Sequence, residues 1–272
     1  MEPDAAAALD GDPADWHLRV VRRSLRTATQ RSIDRGSALI RAAAALLERS
    51  QGDNFTVQDV ADEAGQSLRT LYQYFESKDD LLLAVFEEAM RTYARLIRTA
   101  VADLDDPLER LAGAIVAALR MPELAGTGVD RGLARLRLRL SEVEPELVAR
   151  SQEPVTVLVR ELVTEAAAAG RVRVCEPDEA TYVVLALKTA FITSRTLGDD
   201  SGARLPTAFG LASFCLAGLG AEVDDAWLAA VDARLRFPGR RRPGPVDGAG
   251  PDDRAEPADQ ADRAPEGTAR AR

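Results

Sequence analysis

The chain has 272 residues, of which 46% are hydrophobic, 29% are charged and 5% are aromatic, and its formal net charge is −9. This length and apolar content suffice for one large or two small domains with a buried core. The chain has one histidine and two cysteines, too few for a structural zinc site built from those residue types, so we expect no metal and no cofactor.

The first residues, 1–17, are acidic, rich in alanine and without hydrophobic periodicity, which predicts a disordered lead. They lack the positive charge that a signal peptide requires. No stretch of the chain approaches the run of about 18 apolar residues that is typical of a membrane span. We therefore expect a cytoplasmic protein that does not cross a membrane.

A basic stretch follows the acidic lead. Residues 18–50 carry eight arginines against two acids, whereas residues 51–100 and 101–236 have net charges of −4 and −6. Two interpretations of this stretch remain open, a solvated and poorly ordered arm or an arm that contacts a polyanion. We assign residues 1–30 to a disordered acidic lead and basic arm. The arginines concerned are Arg19, Arg22, Arg23, Arg26, Arg31 and Arg35.

The segment 55–82, FTVQDVADEAGQSLRTLYQYFESKDDLL, predicts three short helices. Thr56 is a good N-cap residue, and an acid three positions later predicts a capping box. Gly65 ends the first helix where a left-handed residue is favoured, and Ser67 caps the next helix almost at once. Ser77 begins the third helix in the same way. Two short helices joined by a turn that contains glycine indicate a helix-turn-helix motif over residues 56–75.

The second helix of this motif has the composition of a DNA recognition helix. Leu71 and Phe75 are expected to face inward, which leaves a polar face for the major groove. Side chains of this kind suit phosphates and base edges, with arginine commonly paired to guanine and glutamine to adenine. The outward residues are Ser67, Arg69, Thr70 and Gln73.

This segment resembles the DNA-binding domain of the TetR family of bacterial transcriptional regulators, over about residues 33–93. The chain departs from the family pattern at Gln66, where valine is usual, and at Arg69, where small residues are common. The matching residues are Thr56, Val57, Asp59, Val60, Ala61, Ala64, Gly65, Ser67, Thr70, Leu71, Tyr72, Tyr74, Phe75, Ser77, Lys78 and Leu81.

The resemblance implies roles for four further residues on double-stranded operator DNA. Tyr72 and Lys78 would bind phosphates, Thr56 would add a phosphate contact at a helix N-terminus, and Tyr74 would lie at the edge of the DNA backbone. From the residues alone, Tyr72 also fits a core position and Lys78 also fits a solvated charge. The basic arm would track phosphates or enter the adjacent minor groove.

The rest of the chain is predicted to be helical up to residue 236, which makes the fold all-α. Residues 135–140 alternate arginine and leucine and could form a strand, but their leucines also give a helical face, which favours helix. Residues 237–272 contain six prolines and five glycines and predict a disordered tail. The predicted helices cover 107–120, 130–143, 146–169, 177–197, 205–219 and 224–236.

The resemblance implies that residues 94–236 form a ligand-binding and dimerisation domain. Helices 177–197 and 205–219 are apolar on more than one side, which predicts a four-helix bundle with a twofold partner or, alternatively, a central core helix. The richness in Leu, Val and Ala favours a small apolar or amphipathic effector. Candidate pocket residues are Tyr93, Arg137, Tyr182 and Phe191.

These observations predict a DNA-binding transcriptional regulator. We expect a repressor whose operator binding as a homodimer is relieved by a small-molecule effector. A transcriptional activator, or an effector-independent DNA-binding protein of the same fold, remains the alternative. No Ser-His-acid set, metal motif or phosphate-binding loop is present in the sequence, so we expect no enzymatic activity.

Overall fold

Every regular element that the structure describes is a helix, which confirms the predicted all-α fold. The computed structural model describes residues 15–50, 54–125, 127–174, 176–198 and 204–237. The helices are α1 (Asp15–Ser50), α2 (Val57–Glu63), α3 (Leu68–Tyr74), α4 (Lys78–Val101), α5 (Pro107–Ala125), α6 (Thr127–Val143), α7 (Pro145–Ser151), α8 (Glu153–Ala168), α9 (Pro177–Leu197), α10 (Ala208–Gly218) and α11 (Asp225–Arg234).

Capping residues determine where the short helices begin. Thr56, Ser67 and Ser77 precede α2, α3 and α4, and each side chain accepts a hydrogen bond from the backbone N–H three residues later. Thr56 and Asp59 form the complete capping box that the sequence predicts. Gly65 has a φ of 63°, the left-handed conformation that ends α2 and turns the chain towards α3.

Helix α5 is the centre of the larger helical region. It is buried on several sides, through residues that include Leu111, Ile115, Val116 and Leu119. It packs against α4, α6, α8, α9, α10 and α11. The sequence left open whether helix 177–197 is the central core helix, and the structure gives that position to α5 instead. Gly113 permits this packing, because a Cβ there would lie only 2.9 Å from Leu235.

The prediction of a poorly ordered arm is wrong for residues 15–30, which belong to α1. This segment has no proline or glycine to interrupt a helix, and hydrogen bonds such as that from Gln30 to Asp34 link successive turns. Residues 22–35 are exposed. These exposed residues therefore belong to a solvated helix. Residues 1–14 of the predicted lead and 238–272 of the predicted tail lie outside the described residues.

Two further predictions of helix position can be compared with the structure. The alternating segment 135–140 lies within α6, which confirms its prediction as helix. The single helix predicted over 146–169 is wrong, because α7 and α8 meet at Gln152. Pro154 explains the break, since proline lacks the N–H that would continue α7 but fits the first turn of α8.

Two observations concern chemistry and membrane insertion. Cys215 is buried, and burial raises the pKa of its thiol to about 11, which is typical of a cysteine that acts as a small apolar residue of the core. Cys175 lies outside the described residues. Within the described ranges, none of the helices has both the length and the apolar content needed to span a bilayer.

Candidate nucleic-acid interface and ligand cavity

Helix α3 presents the polar face that the sequence predicts. Leu71 is fully buried and Phe75 is 8% exposed, so the inward face anchors the helix on the core. Arg69 and Gln73 are exposed on the outer side. At its start, the Ser67 and Thr70 hydroxyl oxygens lie 2.8 Å apart, and Ser67 Oγ accepts from the Thr70 N–H. The arrangement leaves the Arg69 and Gln73 side chains on the solvent-exposed face of α3.

Tyr72 belongs to the exposed face and not to the core. Its side chain is 53% exposed, which is the largest fraction among the aromatic residues of the helix-turn-helix segment. This excludes the core position that fits its spacing in the sequence. A tyrosine at an exposed position can offer its hydroxyl to a phosphate while its ring keeps its packing contacts.

Tyr74 is half-buried and connects α3 to α1. Its hydroxyl lies 3.0 Å from Ser32 Oγ, and its ring approaches Gly36, where a Cβ would stand 3.5 Å from it. Gln66 makes a second connection, because its side-chain amide donates to the Arg35 carbonyl at 3.0 Å. The departure from the family pattern at Gln66 thus adds a tie between the turn and α1.

Lys78 is partly buried at the start of α4. Its ammonium donates to the Phe55 carbonyl at 2.5 Å and lies 4.7 Å above the Phe55 ring. Burial lowers its pKa, and the nearby Asp79 and Asp59 oppose that shift. The Lys78 ammonium is therefore not a fully solvated charge. A phosphate contact would form in addition to these internal contacts or would replace them.

Thr56 is exposed and engaged in its capping box. Its hydroxyl donates to Asp59 Oδ2 at 2.8 Å, and its backbone N–H donates to the same oxygen at 2.7 Å. These hydrogen bonds lower the pKa of Asp59. The Thr56 hydroxyl would have to turn away from Asp59 in order to donate to a phosphate.

A partly open cavity lies between α4, α6 and α9, with one residue from the α7–α8 junction. Most of its lining is apolar, with a few polar groups, as is typical of small-molecule sites. Its lining residues are Phe86, Met90, Tyr93, Leu133, Ala134, Arg137, Gln152, Lys188, Thr189, Ile192 and Thr193.

The structure brings together two of the four predicted pocket residues. Tyr93 and Arg137 line the cavity. Tyr182 is 74% exposed and lines an adjoining open groove of about 1430 Å³, which shares Arg137 with the cavity. Phe191 is buried in the core, with the Arg195 guanidinium 5.5 Å from its ring, and the α9 side chains that line the cavity are others. Of the predicted pocket residues, Tyr182 thus lines the adjoining groove instead of the cavity, and Phe191 lines neither.

Sequence reasoning missed Lys188, which lines the cavity. Burial lowers the pKa of this amine to about 8, and the positive charge of Arg137 acts in the same direction. Burial also lowers the pKa of Arg137. The signal was present in the sequence, because Lys188 is one of only two lysines and lies in a mostly apolar part of α9.

Helices α4 and α6 connect the cavity to the helix-turn-helix segment. Helix α4 begins at Lys78, directly after α3, and its residues Phe86, Met90 and Tyr93 reach the cavity. Helix α6 packs closely on α1, since a Cβ at Gly132 would lie 3.0 Å from the Leu47 carbonyl oxygen. An ion pair of 2.5 Å between Arg139 and Asp79 joins α6 to the first turn of α4.

The geometry defines a helix-turn-helix protein with a partly open cavity among its larger helices, and comparison with known proteins agrees with this class. The family model described as "Bacterial regulatory proteins, tetR family" matches residues 39–85. An uncharacterized HTH-type transcriptional regulator of Mycobacterium tuberculosis is 34% identical over 83 residues, which cover 30% of this chain and 41% of that protein. The regulator HbdR of Aromatoleum sp. is 33% identical over 82 residues, or 30% of this chain and 36% of HbdR. The matched segment thus spans less than half of these relatives.

Solved structures extend the likeness to the whole fold. RolR in complex with resorcinol superposes with a TM-score of 0.57 at 22% identity, covering 77% of this chain and 98% of RolR. FadR from Bacillus subtilis in complex with stearoyl-CoA gives a TM-score of 0.55 at 16% identity, covering 67% of this chain and 98% of FadR. Residues 39–85 thus match the TetR family model, and the helical fold resembles that of these solved structures.

Proposed function

We propose that this protein is a cytoplasmic repressor that binds operator DNA as a homodimer and releases it when a small molecule occupies the cavity. The observation that carries the proposal is the outer face of α3, where Arg69, Tyr72 and Gln73 are exposed on a helix anchored by Leu71. This is the arrangement with which a recognition helix enters the major groove.

The DNA contacts divide into those that specify sequence and those that position the helix. Arg69 and Gln73 would read base edges, since both side chains form paired hydrogen bonds to purines. The other predicted contacts would go to the backbone and fix the register of α3 on the duplex. These are Thr56, Ser67, Thr70, Tyr72, Tyr74 and Lys78.

An apolar surface on α9 and α10 supports the homodimer. Val183 is 53% exposed and Phe214 is 66% exposed, and both line one groove between the two helices. Large exposed apolar side chains in a contiguous patch favour association. A twofold partner that presents the same two helices would bury them in a four-helix bundle.

Effector relief follows from the position of the cavity. A ligand held between α4 and α6 touches the helices that lead to α3 and α1, so it can favour one separation of the two recognition helices in a dimer. The ligands in the RolR and FadR structures, resorcinol and stearoyl-CoA, support a small apolar or amphipathic effector. We assign the cavity to ligand binding and not to catalysis.

The proposal is tested by selecting duplexes that bind the full chain from a random library. We then measure affinity for the selected and for a random duplex at two salt concentrations. We expect selective binding, and we expect Arg69→Ala and Gln73→Ala each to lower the affinity for the selected duplex by about 1–3 kcal/mol. Arg150→Ala, which removes an exposed arginine from α7, is the matched control.

Equal affinity for selected and random DNA would contradict an operator-specific regulator. A reporter gene placed behind the selected sequence separates repression from activation. We expect expression to fall when the protein is present, whereas a rise would show the alternative, an activator of the same fold.

A further inference from the structure

We propose that the cavity between α4, α6 and α9 binds a small organic carboxylate, with the carboxylate at Arg137 and Lys188 and an apolar body against Phe86, Met90 and Ile192. The inference rests on the proposed function, since it takes this cavity to be the effector site. It narrows the proposed ligand from any small apolar or amphipathic molecule to one chemical class with a defined charge.

The charge of the cavity carries this inference. Arg137 from α6 and Lys188 from α9 both line it, and none of its described lining residues is acidic. Within the part of the chain that the structure describes, neither cation has an ion pair with an acid. Two partly buried cations that face one cavity without an anion are unfavourable, unless a ligand supplies the negative charge.

Charged residues close to the cavity have polar partners, in contrast to its two cations. On the same helix as Arg137, Arg139 pairs with Asp79 at 2.5 Å and Arg131 donates to the Thr196 carbonyl. The acid that lines the adjoining groove, Asp178, is itself paired with Arg160 at 2.5 Å. The depressed pKa of Lys188 agrees with an amine whose charge is uncompensated.

The rest of the lining determines the body of the ligand. Phe86, Met90, Leu133 and Ile192 are apolar, and other lining residues add uncharged hydrogen-bonding groups. A lining of this kind favours an apolar body that also offers or accepts a few hydrogen bonds. One carboxylate and one compact apolar body therefore match both the charge and the polarity of the lining. The uncharged polar residues are Gln152, Thr189 and Thr193.

The test compares carboxylates with their neutral amides. Benzoate, phenylacetate and octanoate are each titrated into the full chain beside benzamide, phenylacetamide and octanamide, by calorimetry and by thermal unfolding, without DNA. We expect at least one carboxylate to raise the unfolding temperature and to bind about tenfold or more tightly than its amide, since charged hydrogen bonds are the stronger class.

Three variants assign that difference to the two cations. Lys188→Met and Arg137→Gln should each weaken binding of the carboxylate by about tenfold or more while changing binding of the amide by no more than about threefold. Arg150→Gln should change neither. Lys188→Met should also raise the unfolding temperature of the ligand-free protein, because it removes an uncompensated charge.

Three results would overturn the inference. These are amides that bind as tightly as the carboxylates, a panel in which no carboxylate binds, and a Lys188→Met protein that is less stable than the wild type without ligand. Because binding is measured without DNA, a carboxylate that binds but leaves the operator complex intact would contradict effector relief and leave the carboxylate site standing.

Discussion

Lys78 and Lys188 are the only lysines in a chain with 35 basic residues, and both stand at partly buried positions. Burial lowers the pKa of both amines. An arginine in either place would remain charged, whereas a lysine can lose its proton when it is desolvated. A lysine in the cavity therefore limits the destabilisation of the ligand-free state and regains its charge when an anion binds.

The depressed pKa of Lys188 predicts a specific pH dependence of stability. The amine titrates near 8 in the folded protein and at 10.5 when unfolded, so the unfolded state binds more protons between these values. Stability should therefore rise with pH across this window, and the destabilisation from the buried charge is complete below pH 8. The full effect is at most about 3 kcal/mol.

Urea unfolding of the wild type and of Lys188→Met at neutral pH and near pH 10 measures this effect. We expect the variant to be more stable by about 1–3 kcal/mol at neutral pH, and the gap to narrow as the pH rises. The comparison cancels the titration of Lys78, which both proteins share. A gap that does not change with pH would show that Lys188 is not the titrating group.

The sequence predicted which side chains face inward or outward better than it predicted which partners they contact. It placed Leu71 and Phe75 inside and Arg69 and Gln73 outside, as the structure confirms. It could not show that the Tyr74 hydroxyl meets Ser32, because these residues are 42 positions apart and only packing brings them together. Lys188 was missed for a related reason, since α9 is apolar on several sides and periodicity cannot tell which side faces a cavity.

At the scale of elements, α1 is longer than a three-helix DNA-binding domain requires. It extends from Asp15 to Ser50, and its exposed residues 22–35 include Arg22, Arg23 and Arg26. Replacing these three by glutamine keeps a good helix former while removing the charge. We expect weaker binding to the selected duplex. The log–log dependence of affinity on salt should become shallower by about 0.9 for each phosphate that the helix no longer neutralises.

The measurement is affinity for the selected duplex over a range of salt concentrations. Arg150→Gln serves as control, because it removes an exposed arginine from α7. If the triple variant keeps the wild-type slope, this part of α1 does not contact phosphates and its arginines form only a solvated face.

A second prediction at this scale concerns Gly132, where α6 packs closely on α1. A Cβ at Gly132 would lie 3.0 Å from both the Leu47 carbonyl oxygen and Leu47 Cγ, so backbone as well as side chain must move. We expect Gly132→Ala to destabilise the protein by about 1–3 kcal/mol in thermal or urea unfolding. Gly218→Ala is the control, since a Cβ there would meet no side chain or other part of the fold within 4 Å beyond its chain neighbours and the backbone of its own helix. Equal stability of the two variants would contradict a tight joint between α6 and α1.

For the whole molecule, the distribution of charge is more informative than its sum. The net charge of −9 would argue against a nucleic-acid partner, but residues 18–50 have a net charge of +6. The structure places this charge on α1, which packs against α2 and α3. Residues 101–236 have a net charge of −6, so one chain can carry a basic surface at α1 and remain acidic elsewhere.

The fold as a whole was predictable where local signals were strong. Caps and glycines located α2, α3 and α4, and the resemblance supplied their arrangement. The central position of α5 was not predictable, because the sequence of 107–120 resembles several other apolar helices. Which of these helices is surrounded depends on packing between distant segments, such as the packing of α5 on α10 and α11.

The last prediction concerns assembly. Phe214 is 66% exposed on α10 and belongs to the surface proposed as the dimer interface. We expect Phe214→Glu to turn a dimer into a monomer in sedimentation experiments, because burying an uncompensated carboxylate at an interface costs several kcal/mol. The monomer should stay folded, since Phe214 lies outside the core of the protomer.

Binding to the selected duplex should weaken when the dimer dissociates, because a monomer reaches only one half-site at a time. Val143→Glu is the matched control, since Val143 is 56% exposed at the end of α6 and does not line the groove between α9 and α10. We expect that variant to remain dimeric and to bind DNA as the wild type does. A Phe214→Glu protein that stays dimeric would place the interface elsewhere, and a monomer with undiminished affinity would separate dimerisation from operator binding.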